Sequence, residues 1–214
     1  MNRRAFTLIE LLTVVAIIGV LASLVLMTSG FIQKKAAASR SENEIQALST
    51  GAERYKTDNA IYPRDKAVPG QTGTSTDTLD ARKIGNPASY KAQSLILYKA
   101  LSGDTNADGV VSVSDAPGST VPPTQYYEFP PQVLYRTNNK QRISASNAVQ
   151  FIQDPFGYSY GYSTIQAAKL EANDPAAQTF GYNPTFDLWS TNANTINPAP
   201  GTATDATVRW IKNW

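Results

Sequence analysis

Apolar residues fill the N-terminal part of the chain almost without interruption. Residues 11–33 form a run of 23 consecutive uncharged residues, which as a helix would extend over about 35 Å at about 1.5 Å per residue. That length is enough to cross the hydrocarbon core of a bilayer. A basic leader, residues 1–5, precedes the run, and a single acid, Glu10, lies at its start. The pattern predicts a transmembrane or filament-core segment over residues 6–30.

The pattern after this run is amphipathic rather than apolar. Over residues 31–58, charged residues occupy most faces, and apolar residues recur at three- and four-residue intervals, at Ile45, Leu48, Ala52 and Tyr55. No proline occurs before Pro63. The sequence therefore predicts one long helix over about residues 7–58, whose second half packs on a globular head, residues 59–214.

The head has a mixed pattern. Residues 87–101 predict a second helix, with a buried face formed by Leu95, Ile96, Tyr98 and Leu101. Short aromatic and β-branched segments separated by Pro, Asn and Gly predict strands at residues 126–129, 133–135, 148–151, 159–162 and 186–189. Residues 208–214 predict a last strand or an aromatic clasp. The expected fold class is α+β, with the long helix packed on a small antiparallel sheet.

The isolated acid belongs to an ordered motif. Residues 6–22 read FTLIELLTVVAIIGVLA in one-letter code, and with the basic leader they resemble the N-terminus of type IV prepilins and of type II secretion pseudopilins. A secretory signal peptide is the competing interpretation of basic residues followed by an apolar run. Such peptides have a shorter apolar core and a cleavage site at its far end, so this run is too long to be one. The resemblance implies that a prepilin peptidase cuts between Ala5 and Phe6, although the family usually has glycine where this chain has Ala5.

The same resemblance implies a role for the acid. The peptidase would N-methylate Phe6, and the Phe6 amine of an incoming subunit would pair with Glu10 of a subunit already in the filament. A carboxylate in a bilayer is costly and seldom lacks a partner. In a low-dielectric environment such a charge pair interacts much more strongly than in water. The alternative is a glutamate that stays near the headgroups or is protonated.

Two segments of the head make the resemblance more specific to one kind of pseudopilin. Residues 154–162, DPFGYSYGY, and residues 185–190, TFDLWS, resemble the D-P-W-G-x-x-Y-x-Y and F-D-L-x-S elements of the major pseudopilin of type II secretion. That family usually carries calcium-binding acids directly after the second element. Here residues 191–195 contain no acid, and Asp205 is the only one beyond them. The sequence therefore does not support a calcium site at this C-terminal position.

A different calcium motif lies in the loop of residues 104–115, DTNADGVVSVSD. It places oxygen-bearing side chains at positions one, three, five, nine and twelve, with glycine at six, which is the EF-hand arrangement. The loop resembles those of dockerin modules, which also end in Asp. The predicted calcium ligands are Asp104, Asn106, Asp108, the Val110 carbonyl, Ser112 through a water, and Asp115. The alternative is an Asp- and Gly-rich turn that holds no ion.

Composition limits the function further. The chain has 214 residues, no cysteine and no histidine, so thiol nucleophiles, histidine bases, Cys/His zinc sites and disulfides do not occur. The carboxylates outside the 104–115 loop form no recognisable acid/base arrangement, and we expect no enzyme activity. A formal net charge of +2 without a basic, aromatic stripe does not predict nucleic acid as a partner.

The sequence thus predicts a pseudopilin-like structural subunit that polymerises into a periplasmic filament for protein export. The resemblance implies as partners further copies of the chain, the prepilin peptidase, the inner-membrane platform of the secretion system, minor pseudopilins, and membrane lipid before assembly. The implied location is the inner membrane, with a single pass and a periplasmic head. Two alternatives stay open: a type IV pilus subunit at the cell surface, and a monomeric, membrane-anchored calcium-binding module.

Overall fold

The N-terminal helix is the longest element of the fold. The computed structural model describes residues 7–65, 75–136, 148–194 and 206–214. The chain divides into two compact units, Met1–Ser39 and Arg40–Trp214, and helix α1, Leu8–Asn59, begins in the first and ends in the second. It stops where Ala60 adopts a left-handed conformation, with φ of 63°. The prediction of a single long helix is confirmed.

In the residues that the structure describes, the second unit contains two further α-helices and two small antiparallel sheets. The helices are α2, Lys91–Ser102, and α3, Ile165–Glu171. One sheet pairs β1, Leu134–Arg136, with β2, Val149–Ile152. The other has the strand order β3, β4, β5, formed by Gly161–Ser163, Asp187–Ser190 and Ile211–Lys212. The predicted α+β fold class, a long helix with small antiparallel sheets, is confirmed.

Helix α2 lies close to its predicted position, and its buried face only partly matches the predicted one. A short 3-10 turn precedes it, and Gly103 ends it with φ of 78° while donating its N–H to the Lys99 carbonyl. Leu97 is fully buried, whereas the predicted core residues Leu95 and Ile96 are only half-buried. Tyr98 and Leu101 are buried as predicted. The buried face also includes polar side chains, which the apolar pattern could not indicate.

Strands β1 to β4 lie within two residues of predicted segments, but the strand predicted at residues 126–129 is wrong. The N–H groups of Tyr126 and Tyr127 both donate to the Leu101 carbonyl, at 2.8 and 3.0 Å. They satisfy an acceptor at the end of α2 instead of forming a sheet ladder. Helix α3 was not predicted from the sequence. The C-terminal prediction is confirmed, because β5 is a strand and Trp210 and Trp214 join the aromatic cluster around Trp189.

The main core of the second unit contains residues of α1, α2 and the strands of both sheets. Ile45, Leu48 and Ala52 are buried, as their spacing predicts, and they join Leu97 and Leu101 in one hydrophobic cluster. Gly51 permits close approach at this contact. A Cβ atom there would lie 3.3 Å from both Leu101 Cδ1 and Tyr127 Cβ.

A second hydrophobic cluster surrounds Trp189 on the central strand β4. Its ring is fully buried, stacks on Trp210 at 5.9 Å between centroids, and meets Tyr90 edge-on at 5.2 Å. Gly161 is the cross-strand partner of Trp189, and a Cβ atom at Gly161 would overlap the Trp189 ring. The glycine is therefore required by the packing of this tryptophan.

Asp187 is a buried carboxylate at the start of β4. Its oxygens accept hydrogen bonds from the Tyr182 and Asn183 N–H groups, the shortest at 2.8 Å, and its side chain is almost inaccessible. Burial raises the pKa of Asp187 to about 6, with a further increase from nearby Asp80, although the backbone hydrogen bonds oppose this. The folded state therefore binds the Asp187 proton more tightly than the unfolded chain, in which the pKa is about 3.9.

This shift predicts a pH dependence of stability. The contribution of Asp187 is full below about pH 4 and is lost as the pH rises through about 6, a change of about 2 to 3 kcal/mol. The variant Asp187→Asn should reduce this dependence, because it keeps an oxygen acceptor but cannot titrate. Urea unfolding of both proteins between pH 4 and 7 measures it. Asp77 and Asp154 also have raised pKa values, so the comparison of the two proteins isolates Asp187. Parallel curves would contradict the prediction.

Candidate functional site

The first candidate site is the start of α1, where Glu10 has a partner in its own chain. The Thr7 N–H donates to Glu10 Oε2 at 2.8 Å, and the Thr7 hydroxyl donates to the same oxygen at 2.7 Å. In return, the Glu10 N–H donates to Thr7 Oγ1 at 3.4 Å. This is a capping box, in which two side chains satisfy N–H groups at the helix start. This cap is not among the features predicted from the sequence, although its signal, Thr-x-x-Glu before an apolar run, is present in the chain.

The predicted cleavage junction is adjacent to this cap. Ala5 and Phe6 both lie outside the residues that the structure describes. Cleavage between Ala5 and Phe6 and N-methylation of Phe6 therefore stay predictions. Glu10 itself is exposed within the single chain, so its side chain is accessible to a group from another molecule.

The first half of α1 exposes its large apolar side chains. Leu8 is 80% exposed and Phe31 is 71% exposed. Among the side chains that the structure describes here, the others with more than half of their surface exposed are Ile9, Leu11, Leu12, Val14, Val15, Ile17, Ile18, Val20, Leu21, Leu24 and Ile32. An apolar surface of this extent is typical of a segment that contacts another protein chain or lipid.

By mean hydropathy, none of the helices in the described part of the chain is long and apolar enough to cross a membrane. The prediction of a transmembrane or filament-core segment over residues 6–30 stays a prediction.

The second candidate site is the 104–115 loop. Asp104 is fully buried, and its Oδ2 accepts the Gly109 N–H at 2.7 Å and the Tyr98 hydroxyl at 2.6 Å. The Tyr98 hydroxyl thereby donates to a carboxylate, and burial together with this hydrogen bond raises the Tyr98 pKa. Asp104 Oδ1 is also buried, but it accepts no hydrogen bond.

The side chains at positions three and five organise the middle of the loop. Asn106 Oδ1 accepts the Asp108 N–H, and Asp108 Oδ1 accepts the Val110 N–H, both at 2.8 Å. Gly109 adopts φ of 90°, a conformation that favours glycine. A Cβ atom there would also overlap the guanidinium of Arg136, whose Nη1 donates to the Asp108 carbonyl at 3.0 Å. The predicted sharp turn at position six is therefore present.

Asp115, at position twelve, has a different environment from the other predicted ligands. Its Oδ1 accepts the N–H groups of Thr105 and Asn106, and its Oδ2 accepts the Ser112 N–H. These hydrogen bonds outweigh burial and lower the pKa of Asp115. Its carboxylate thus joins the two ends of the loop. Among the described residues, no group of three or more acidic side chains is arranged to hold a metal ion.

Comparison with known proteins identifies the N-terminal segment. The family described as "Prokaryotic N-terminal methylation motif" matches residues 1–26. The chain is 43% identical over 62 residues to type II secretion system core protein G of Escherichia coli K12, covering 29% of this chain and 43% of that protein. It is 33% identical over 90 residues to core protein G of Pseudomonas aeruginosa, covering 41% of this chain and 58% of the relative. The predicted resemblance to the pseudopilins is confirmed.

These similarities cover part of each protein. The chain spans about half the length of the curated relatives that it matches, and no solved structure matches it. The match to the methylation motif, over residues 1–26, includes the capping box and the first part of the exposed apolar surface. The matches do not test calcium binding by the 104–115 loop, which stays a prediction.

Proposed function

We propose that this protein is a structural subunit that polymerises into the periplasmic filament of a type II secretion system. The observation that carries the proposal is the methylation motif over residues 1–26, joined to a helix whose large apolar side chains are exposed. A helix surface of this kind is stabilised when neighbouring copies bury it. The protein acts mechanically: growth of the filament drives folded cargo outward, and a separate cytoplasmic ATPase supplies the energy.

Assembly begins with processing by the prepilin peptidase, which removes residues 1–5 and methylates the Phe6 amine. Before assembly, lipid of the inner membrane covers the apolar side chains, and the head faces the periplasm. The secretion platform of the inner membrane and minor pseudopilins receive the subunit. These partners are those of the pseudopilin family and are proposed here on that basis.

In the filament, Glu10 takes a second partner. The Phe6 amine of an incoming subunit pairs with the Glu10 carboxylate, which is exposed in the single chain. The capping box uses only Oε2 of Glu10, so Oε1 is available to the incoming amine. Neighbouring apolar helices exclude water from the pair, which strengthens the attraction between the charges.

Cell fractionation with cross-linking tests this function. Chemical cross-linking of intact cells should give a ladder of multimers in the envelope fraction, and deletion of the gene should abolish secretion of at least one protein into the medium. Recovery of the protein in filaments sheared from the cell surface would instead show a type IV pilus subunit. A monomer without any ladder would identify an anchored module and contradict the proposal.

A further inference from the structure

We infer that the 104–115 loop binds one calcium ion, with Asp104 Oδ1 as its central ligand and Asp115 as the residue that closes the loop. The inference is independent of filament formation, because every residue that it uses lies within the second unit. It assigns a ligand site to a part of the chain that the proposed function does not use.

Asp104 is buried, and one of its carboxylate oxygens has no hydrogen-bond donor. Buried carboxylate oxygens are rarely without a partner, because removing them from water is costly. Asp104 Oδ2 has two donors, the Tyr98 hydroxyl and the Gly109 N–H, whereas the buried Oδ1 has none. The bond to Gly109, at the middle of the loop, directs the carboxylate into the loop. A cation in the loop would give Oδ1 the partner that it lacks.

The spacing of the loop supplies further oxygen atoms as candidate ligands. Asn106 and Asp108 hold the backbone of the loop through one side-chain oxygen each, which leaves the second carboxylate oxygen of Asp108 for an ion. The Val110 carbonyl and the Ser112 hydroxyl, the latter through a water, complete the set that the spacing predicts. The chain offers no histidine or cysteine, so the donors are all oxygen, which suits calcium and not zinc.

The sequence predicts Asp115 as a direct calcium ligand, but in the structure its carboxylate is already used by the backbone. Both of its oxygens accept backbone N–H groups, from Thr105 and Asn106 at one end of the loop and from Ser112 at the other. We therefore assign it to positioning the loop rather than to the ion. The site then has two carboxylate ligands, Asp104 and Asp108.

A site with two carboxylates and several waters belongs at the weak end of calcium affinities, with a Kd on the order of 10⁻⁴ to 10⁻³ M, as in extracellular calcium modules. Magnesium demands a tighter octahedral geometry and gives up its waters reluctantly, so we expect it to bind more weakly still. The ion would stabilise the folded loop only while bound.

Calorimetric titration tests the inference. The full-length protein in detergent, freed of metal with a chelator, is titrated with CaCl₂ and separately with MgCl₂. We expect one calcium per chain and an increase in Tm of several degrees at millimolar calcium. The variants Asp104→Asn and Asp108→Asn should each weaken calcium binding at least tenfold. Asp58→Asn, which removes an exposed acid outside the loop, should bind calcium as the unmodified protein does.

These variants distinguish the loss of the calcium site from the loss of the folded structure. Asp104 is buried and Asp108 is only half-buried, so Asp108→Asn keeps the test valid if Asp104→Asn does not fold. The variant Asp115→Asn should lower Tm even without calcium, because it weakens the closure of the loop. The inference is overturned if calcium gives neither heat nor a change in Tm, or if Asp108→Asn and Asp58→Asn bind it equally.

Discussion

Replacing Glu10 by glutamine should abolish filament assembly while leaving the start of helix α1 folded. Glutamine at the third helical position still accepts the Thr7 N–H, since capping boxes use Glu or Gln there. It cannot offer a negative charge to the Phe6 amine of an incoming subunit. Cross-linking ladders from cells measure assembly, and circular dichroism of the purified chain measures helix content. We expect the ladder to be lost and the helix content to be unchanged.

Three further variants separate the two roles of Glu10. Glu10→Val should lose both the cap and assembly. Thr7→Ala removes the hydroxyl of the capping box but keeps the carboxylate, so assembly should persist. Glu42→Gln neutralises an exposed acid elsewhere on α1 and serves as the charge control. A Glu10→Gln subunit that assembles normally would show that the capping box, and not the charge pair, is the function of this residue.

Truncation of Trp189 to alanine should destabilise the second unit more than any other single change to its aromatic cluster. The ring is fully buried on the central strand β4 and contacts Trp210 and Tyr90. Large-to-small changes of this kind cost about 3 to 5 kcal/mol, and domains typically have only about 5 to 15 kcal/mol of stability. The chain has no cysteine, so no disulfide limits the loss.

Urea unfolding followed by circular dichroism measures this effect without relying on tryptophan fluorescence. Leu170→Ala is the matched control, because Leu170 lies on α3 and is 41% exposed. It should cost less than about 1 kcal/mol. Trp189→Phe should fall between the two. Equal midpoints for Trp189→Ala and Leu170→Ala would show that the cluster around Trp189 does not hold the fold together.

The helices show what the sequence pattern can predict. The bounds of α1 agree with the prediction to within one residue at each end. The apolar run continues directly into the amphipathic repeat, and a helix stop follows that repeat. The buried face of α2 is harder to predict from the sequence, because it includes the polar residues Gln93 and Ser94. The Ser94 hydroxyl accepts the Ile152 N–H at 3.0 Å, a contact to strand β2 that the spacing of apolar residues cannot reveal.

The errors have physical causes as well. Residues 126–129 have the aromatic content of a strand, but the end of α2 requires their N–H groups. Helix α3 has only seven residues, too few for a clear periodic pattern, and its N-cap residue Thr164 forms no side-chain cap hydrogen bond. In the 104–115 loop, the spacing of the residues predicts which positions carry side-chain oxygen atoms. It could not show that Asp115 accepts three backbone N–H groups while Asp104 keeps a buried oxygen without a donor.

Processing of this chain as a prepilin is tested most directly by the mass of the N-terminal peptide of the protein recovered from its native membranes. We expect a peptide that begins with N-methylated Phe6, which would show that the peptidase accepts alanine at position 5. A peptide that begins with an intact Met1 would instead show an anchored, unprocessed protein and would rule out the proposed assembly.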